Sequence, residues 1–352
     1  MRYAGCVGGW LFLAWALMAA PIRAADGPPP LPVPHANNAV AAVTVAGRTY
    51  VMSATGLMPG KTHADTSRAL YIHEQGAPGW RRLPPLPVKQ GRLAATAQAA
   101  AGTFYLFGGY SVAPDGSEVS TPEVFAIEPL SGKVTRRADM PLPVDDTVSF
   151  TYRDRFIYLV SGWHDDGNVA AVQVYDTRTD TWQRATDYPG TPVFGHAGGA
   201  AGGRIVIADG VAVLGEKEGR RTFGLVGEVW LGTIAPGDAT RIDWRKGPPH
   251  PGAPLYRMAA ARHPDAAMVI FAGGSPNSYN FDGIGYDGAP SPASDRVMAF
   301  DFNAMAWRKM PSKPIASMDH RGLISLGGRL WTIGGMLSGQ TVTGRVLPLG
   351  GR

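Results

Sequence analysis

Arg, Asp, His and Asn recur in this chain about sixteen residues upstream of a small-residue stop, at Asn37-Asn38, Arg92, Asp145-Asp146, His196, Arg257 and Asp319-His320-Arg321. Side chains of these types suit two tasks: general acid/base transfer by carboxyls and imidazoles, and clamping of an anionic or hydroxylated ligand by guanidinium groups. Two longer stretches add to the inventory. Gly210 to Gly227 carries Glu216, Glu218, Arg220 and Arg221, and Gly274 to Ser294 carries Asn280, Asp282 and Tyr286. Asn, Asp and Tyr between glycines match hydroxyl-rich ligands, since amides and carboxylates bond hydroxyls while the ring faces stack on a sugar. Two or three arginines converging on one cleft repel each other unless an anion occupies it, so an acidic small ligand is expected.

Convergence requires elements that bring distant positions to one place. Asp146 to Pro189 is the clearest unit: Val148–Tyr152, Phe156–Val160, Val172–Tyr175 and Thr181–Arg184 alternate as short strands between turn residues, with no helical period between them. The stops that close the second strand recur at Met52-Ser-Ala54, Phe107-Gly108-Gly109, Val160-Ser161-Gly162, Ala208-Asp209-Gly210, Ala272-Gly273-Gly274 and Ile333-Gly334-Gly335. Six stops predict six four-stranded blades around an axis. A second register, an outer-strand residue followed by a proline exit, recurs at Trp80, Val134, Trp182, Trp244 and Trp307. The final cassette ends at Arg345-Val-Leu-Pro-Leu349 without a Trp strand, so the sixth blade is expected to lack its outer strand. The fold class is all-β, a six-bladed β-propeller over 25–352, with the polar entries to the innermost strands gathered at one mouth of the channel.

Composition excludes several alternatives. The 46 glycines and 30 prolines accompany 45% apolar residues, which marks turn chemistry in a packed protein rather than disorder. Residues 1–24 pair Arg2 with the apolar run Val7 to Ala20 and the site Ile22-Arg23-Ala24, and read as a cleaved secretory signal. A periplasmic or secreted protein, held by no membrane after cleavage, follows as an expectation. Loss of Arg2 and Arg23 lowers the formal charge from +5 to +3, too little for a nucleic-acid partner. Cys6, the sole cysteine, leaves with the signal, so disulfide, thiolate and Cys-ligated metal chemistry are not expected. His164-Asp165-Asp166-Gly167 reads as a solvated turn, and no nucleophile elbow, phosphate loop, metal set or coenzyme motif is present.

The double glycines and spaced tryptophans resemble the Kelch family of β-propellers. Gly91-Arg92, the Asp209-Gly210 stop with its Glu/Arg-rich loop, Phe271-Ala-Gly-Gly274 and Thr341-Val-Thr343 before Arg345-Val further resemble the bacterial periplasmic N-acetylneuraminate epimerases, the sialic acid mutarotases. That resemblance implies cofactor-free interconversion of the anomers of an acidic sugar. It also implies a catalytic glutamate just after the fourth stop, where this chain has Val211. Glu216 is then the expected base, His196 or His320 the acid, and Arg92, Arg221 and Arg257 the clamps, with Arg220 as an alternative to Arg221. Asp146, Asn280, Tyr286 and Arg321 complete the expected binding set. The alternative is a non-catalytic propeller that holds a glycan or a protein partner.

Overall fold

The computed structural model describes Met1 and residues 27–350, so the signal reading of residues 1–24 lies outside the described residues apart from Met1. Six antiparallel meanders surround an axis, each running from the centre outward in chain order. Their innermost strands are Ala39–Val45, Thr96–Ala100, Val148–Tyr152, Ala197–Ala201, Ala259–Arg262 and Ile324–Leu326. Five blades have four strands, and the sixth has three, ending at Val346–Pro348. Between the second and third strands, small hairpins rise from four blades: Tyr110–Val112 with Glu118–Ser120, Trp163–His164 with Gly167–Asn168, Val211–Lys217 with Arg220–Leu225, and Met336–Leu337 with Thr341–Val342.

The stops have a stereochemical cause. After each second strand the chain takes two successive left-handed residues: Thr55-Gly56, Gly108-Gly109, Ser161-Gly162, Asp209-Gly210, Gly273-Gly274 and Gly334-Gly335. The second is always glycine because the chain there folds back against the entry to the innermost strand. A Cβ on Gly109 would lie 2.5 Å from the Leu93 carbonyl oxygen, and one on Gly162 would lie 2.7 Å from that of Asp145. In the first blade the pair is Thr55-Gly56, just past the Met52–Ala54 stretch that sequence reading selects.

Neighbouring blades are stitched at the rim by indoles. Trp182 donates to the Ala138 carbonyl at 2.9 Å, Trp244 to Thr186 at 3.3 Å and Trp307 to Pro248 at 2.9 Å, each reaching the outer exit of the preceding blade. The first blade has no such exit before it, because the sixth lacks an outer strand. Trp80 instead donates to the Pro29 carbonyl at 2.8 Å, and the Leu31 amide donates to the Gly344 carbonyl at 2.7 Å. The proline-rich segment before the first blade therefore stands in for the missing strand. Leu31, Val40, Val51, Ile324 and Trp331 bury the seam as one apolar cluster.

Candidate functional site

The site begins with one repeated backbone position. Ala36, Leu93, Asp145, Phe194, Tyr256 and Met318 each bridge to the residue after their blade's glycine stop. The residue that follows each of them is left-handed: Asn37, Ala94, Asp146, Gly195, Arg257 and Asp319, with φ between 49° and 62°. These six form a ring of hydrogen bonds across the axis. The Asn37 amide donates to Asp319, Asp146 to Ala94, Gly195 to Asp146 and Arg257 to Gly195, while the Asn37 side-chain oxygen accepts from the Ala94 amide.

Four ring side chains and Arg321 fill the axis as an ionic plug. Arg257 donates through Nε to Asp146 Oδ2 at 3.0 Å and through Nη1 to Asp319 Oδ1 at 2.9 Å. Asn37 donates to the same Asp319 oxygen at 2.7 Å, and Arg321 pairs with Asp146 from the channel side. Burial alone would raise the Asp146 carboxyl, but Arg257 and Arg321 outweigh it and hold it below the usual carboxylate range. Asp319 is raised, because burial there exceeds the attraction of Arg257.

Above the plug lies a cavity of about 380 Å³. Its wall is an arc of rings: Trp163 meets Phe194 edge-on at 5.3 Å, Tyr286 stacks on Phe223 at 4.3 Å, and Tyr279 is backed at 4.9 Å by the fully buried Tyr256. Asn280 and Phe281 from the long fifth-blade loop also line it. Three carboxyls face this space besides the plug: Asp165 on the blade-three hairpin, which accepts from the Ser120 amide at 3.0 Å, and Asp145 and Glu118. Asp145, buried and accepting a 2.6 Å bond from the Ser120 hydroxyl, is pushed well above the carboxylate range by burial and by the Asp146 charge. Glu118 sits exposed on the blade-two hairpin at the rim, yet the protein crowding one side of its carboxyl and the Asp146 charge push it up to about 7 against the pull of Arg257. The buried Tyr279 hydroxyl has no hydrogen-bond partner. The cavity thus offers stacking faces, one carboxyl raised well above the usual range, one pushed up to about 7, and an unengaged hydroxyl.

Of the residues expected from sequence, Asp146, Arg257, Arg221, Asn280 and Tyr286 line this mouth. Three others lie on the far side of the plug. His196 follows Gly195 rather than occupying the ring, and its Nε2 bonds the Val160 carbonyl at 2.8 Å. Burial lowers its pKa to about 4. His320 bonds Ser317 Oγ at 2.7 Å, and both histidines and Arg321 border the central channel instead of the mouth. Arg92 is two residues before the ring position held by Ala94, and it pairs with Glu123 at 3.1 Å between blades. Glu216 is carried outward by its hairpin, which is irregular between Val213 and Gly215, and is exposed beyond the cavity wall, as is Glu218. Val211 is fully buried against Phe194.

The arginines do not leave a free anion clamp in the mouth. Arg257 is saturated by two aspartates, and Arg221 pairs with Asp166 at 3.3 Å while lying over the Trp163 ring at 5.5 Å. Glu118, Asp145, Asp146 and Asp165 face Arg221 and Arg257, so acids predominate. Counting from the stops does not reach Glu118, because its hairpin lies downstream of a stop. The usable signal is the Pro114-Asp115-Gly116 turn between Tyr110-Ser-Val112 and Glu118-Val-Ser120.

Fold and mouth together define a six-bladed β-propeller with a polar, aromatic-walled pocket at one end of its axis. The chain is similar to the solved structure of YjhT, with a TM-score of 0.71 and 17% sequence identity over 92% of this chain and 97% of that chain. At that identity the likeness is one of fold. No family model matches the chain, and no curated protein matches it in sequence.

Proposed function

We propose that the mouth binds a sugar ring and accelerates interconversion of its anomers without a cofactor, Glu118 acting as base and Asp145 as acid. The carrying observation is a pair of carboxyls in unlike surroundings on one aromatic-walled cavity, Glu118 pushed up to about 7 and Asp145 raised well above the carboxylate range by burial and the adjoining Asp146 charge. Ionised Glu118 takes the proton from the anomeric hydroxyl while Asp145 gives one to the ring oxygen. The ring opens, and reclosure on either face returns both protons. Trp163, Phe223 and Tyr286 supply stacking faces for the sugar, and Asn280 and the Tyr279 hydroxyl supply hydrogen bonds. The reading is of a periplasmic or secreted protein, as the sequence of residues 1–24 suggests.

The sequence resemblance implies an acidic sugar such as sialic acid. The charge of the mouth favours a neutral one, since a ligand carboxylate would meet Glu118 and find only Arg221 at the rim. Magnetisation-transfer NMR on equilibrated anomers decides both points. Exchange above the buffer rate for a neutral hexose is the expected result. Exchange for sialic acid alone would restore the acidic substrate, and no acceleration with any sugar would remove the enzyme reading. A second reading, a glycan-binding propeller that performs no chemistry, is favoured by buried Val211 where the resemblance implies a glutamate. It predicts saturable sugar binding with anomer exchange at the buffer rate.

A further inference from the structure

Below the plug the axis opens into a second cavity of about 700 Å³, bordered by the innermost strands of all six blades. Five residues of strand at about 3.3 Å each make it roughly 16 Å deep. Its lining contains Arg153, Arg262 and Arg321 but no Asp or Glu. Arg153, on a turn, and Arg262, the exposed last residue of its strand, make no ion pair among the described residues; Arg153 rests on the neighbouring Tyr152 ring at 5.0 Å. Hydroxyl and amide groups furnish the wall between blades two and three. Thr96 and Ser149 share a 2.5 Å bond, Gln98 donates to the Ser149 carbonyl at 2.9 Å, and Thr151 donates to Ala99 at 3.0 Å.

The plug end of this space carries two unfinished polar groups. His196 Nδ1 and Arg321 Nε are buried without hydrogen-bond partners. Because the His196 Nε2 faces a carbonyl it must carry the ring proton, which leaves Nδ1 as an acceptor, while Arg321 Nε is a donor. Buried polar groups without partners are uncommon in native proteins and call for an explanation. A positive, acid-free channel with hydroxyl-bearing walls has the chemistry to take a ligand that is both anionic and hydroxylated.

We infer that this channel is a second binding site, entered from the face opposite the mouth, for a small hydroxylated organic anion of the hydroxy-carboxylate class. The carboxylate is held by Arg153 and Arg262 and the hydroxyl groups by the Thr, Ser and Gln side chains of the wall. The inference does not depend on sugar chemistry at the mouth, which shares none of these residues. Calorimetric titration of the full chain with gluconate, and with glucitol as its uncharged counterpart, tests it. Gluconate should bind saturably and glucitol at least about tenfold more weakly, the effect of losing one good charged contact. The double variant Arg153→Ala/Arg262→Ala changes only exposed side chains, one on a turn and one at a strand end, so it should fold normally, lose about tenfold or more in gluconate affinity, and leave any activity at the mouth unchanged. Equal binding of glucitol, undiminished gluconate binding by the double variant, or loss of gluconate binding in Glu118→Gln instead would overturn the assignment. Absence of saturable gluconate binding would do so as well.

Discussion

The two compartments on the axis are separated by one layer of ionic side chains and differ in nearly every property that selects a ligand. The mouth is walled by rings and acids delivered by hairpins and a long loop; the channel is walled by Ala, Gly, Thr and Ser of the innermost strands and bears only basic charges. The difference follows from the fold. Six crowded strands must keep small side chains toward the axis, so their chemistry is limited to hydroxyls and to what their ends carry. Connections after the glycine stops are free of that constraint, and they supply Glu118, Trp163, Phe223 and Tyr286. The plug is what keeps the compartments distinct, and the Asp146–Arg257–Asp319 network is where the comparison is most easily broken.

Removing the plug cation has the largest expected effect. Arg257→Ala leaves Asp146 and Asp319 buried without their main partner and should destabilise the protein by about 3–5 kcal/mol in urea unfolding. A loss below about 1 kcal/mol, the range of an exposed pair, would mean that water already screens the plug. Next comes Glu118→Gln, which keeps the shape of the rim and removes the base; anomer exchange should fall by about 100-fold or more with the unfolding midpoint unchanged. Tyr286→Ala removes one member of the 4.3 Å stack with Phe223 and should weaken sugar binding by about 1 kcal/mol in calorimetry, without altering ligand binding in the channel. The smallest effect is expected of Glu216→Gln at its exposed hairpin tip, within about 0.5 kcal/mol in stability and with no change in exchange rate. A larger change in exchange there would return the base to the position first expected from sequence.

The repeat was legible because sterics enforce it. Gly109, Gly162, Gly274 and Gly335 stand where a Cβ would strike a carbonyl, and Trp182, Trp244 and Trp307 bond the preceding blade, so both registers survive as spacing. The short sixth blade was readable for the same reason, since no outer Trp follows Gly335. Site residues were less accessible. The stops locate the ring only to within two positions, and a shift of two replaces Arg92 by Ala94, while a shift of one replaces His196 by Gly195. The left-handed turn at each entry then sends adjacent residues to opposite sides of the plug, which sequence spacing does not encode. Glu118 was out of reach of the counting, and Asp145, though reached by it, gave no sign in the sequence of its altered acidity, which arises from burial and from the adjoining Asp146 charge.

The most direct test of the account is the pH dependence of anomer exchange in the wild type and in Glu118→Gln. Glu118 is raised to about 7 in the folded protein, so its basic form is scarce below that pH and predominates above it. Wild-type exchange above the buffer rate should therefore rise through about pH 7, and Glu118→Gln should abolish the rise while still binding sugar. A wild-type profile that is flat through neutrality, or one that persists in Glu118→Gln, would contradict the assignment of the chemistry to the mouth.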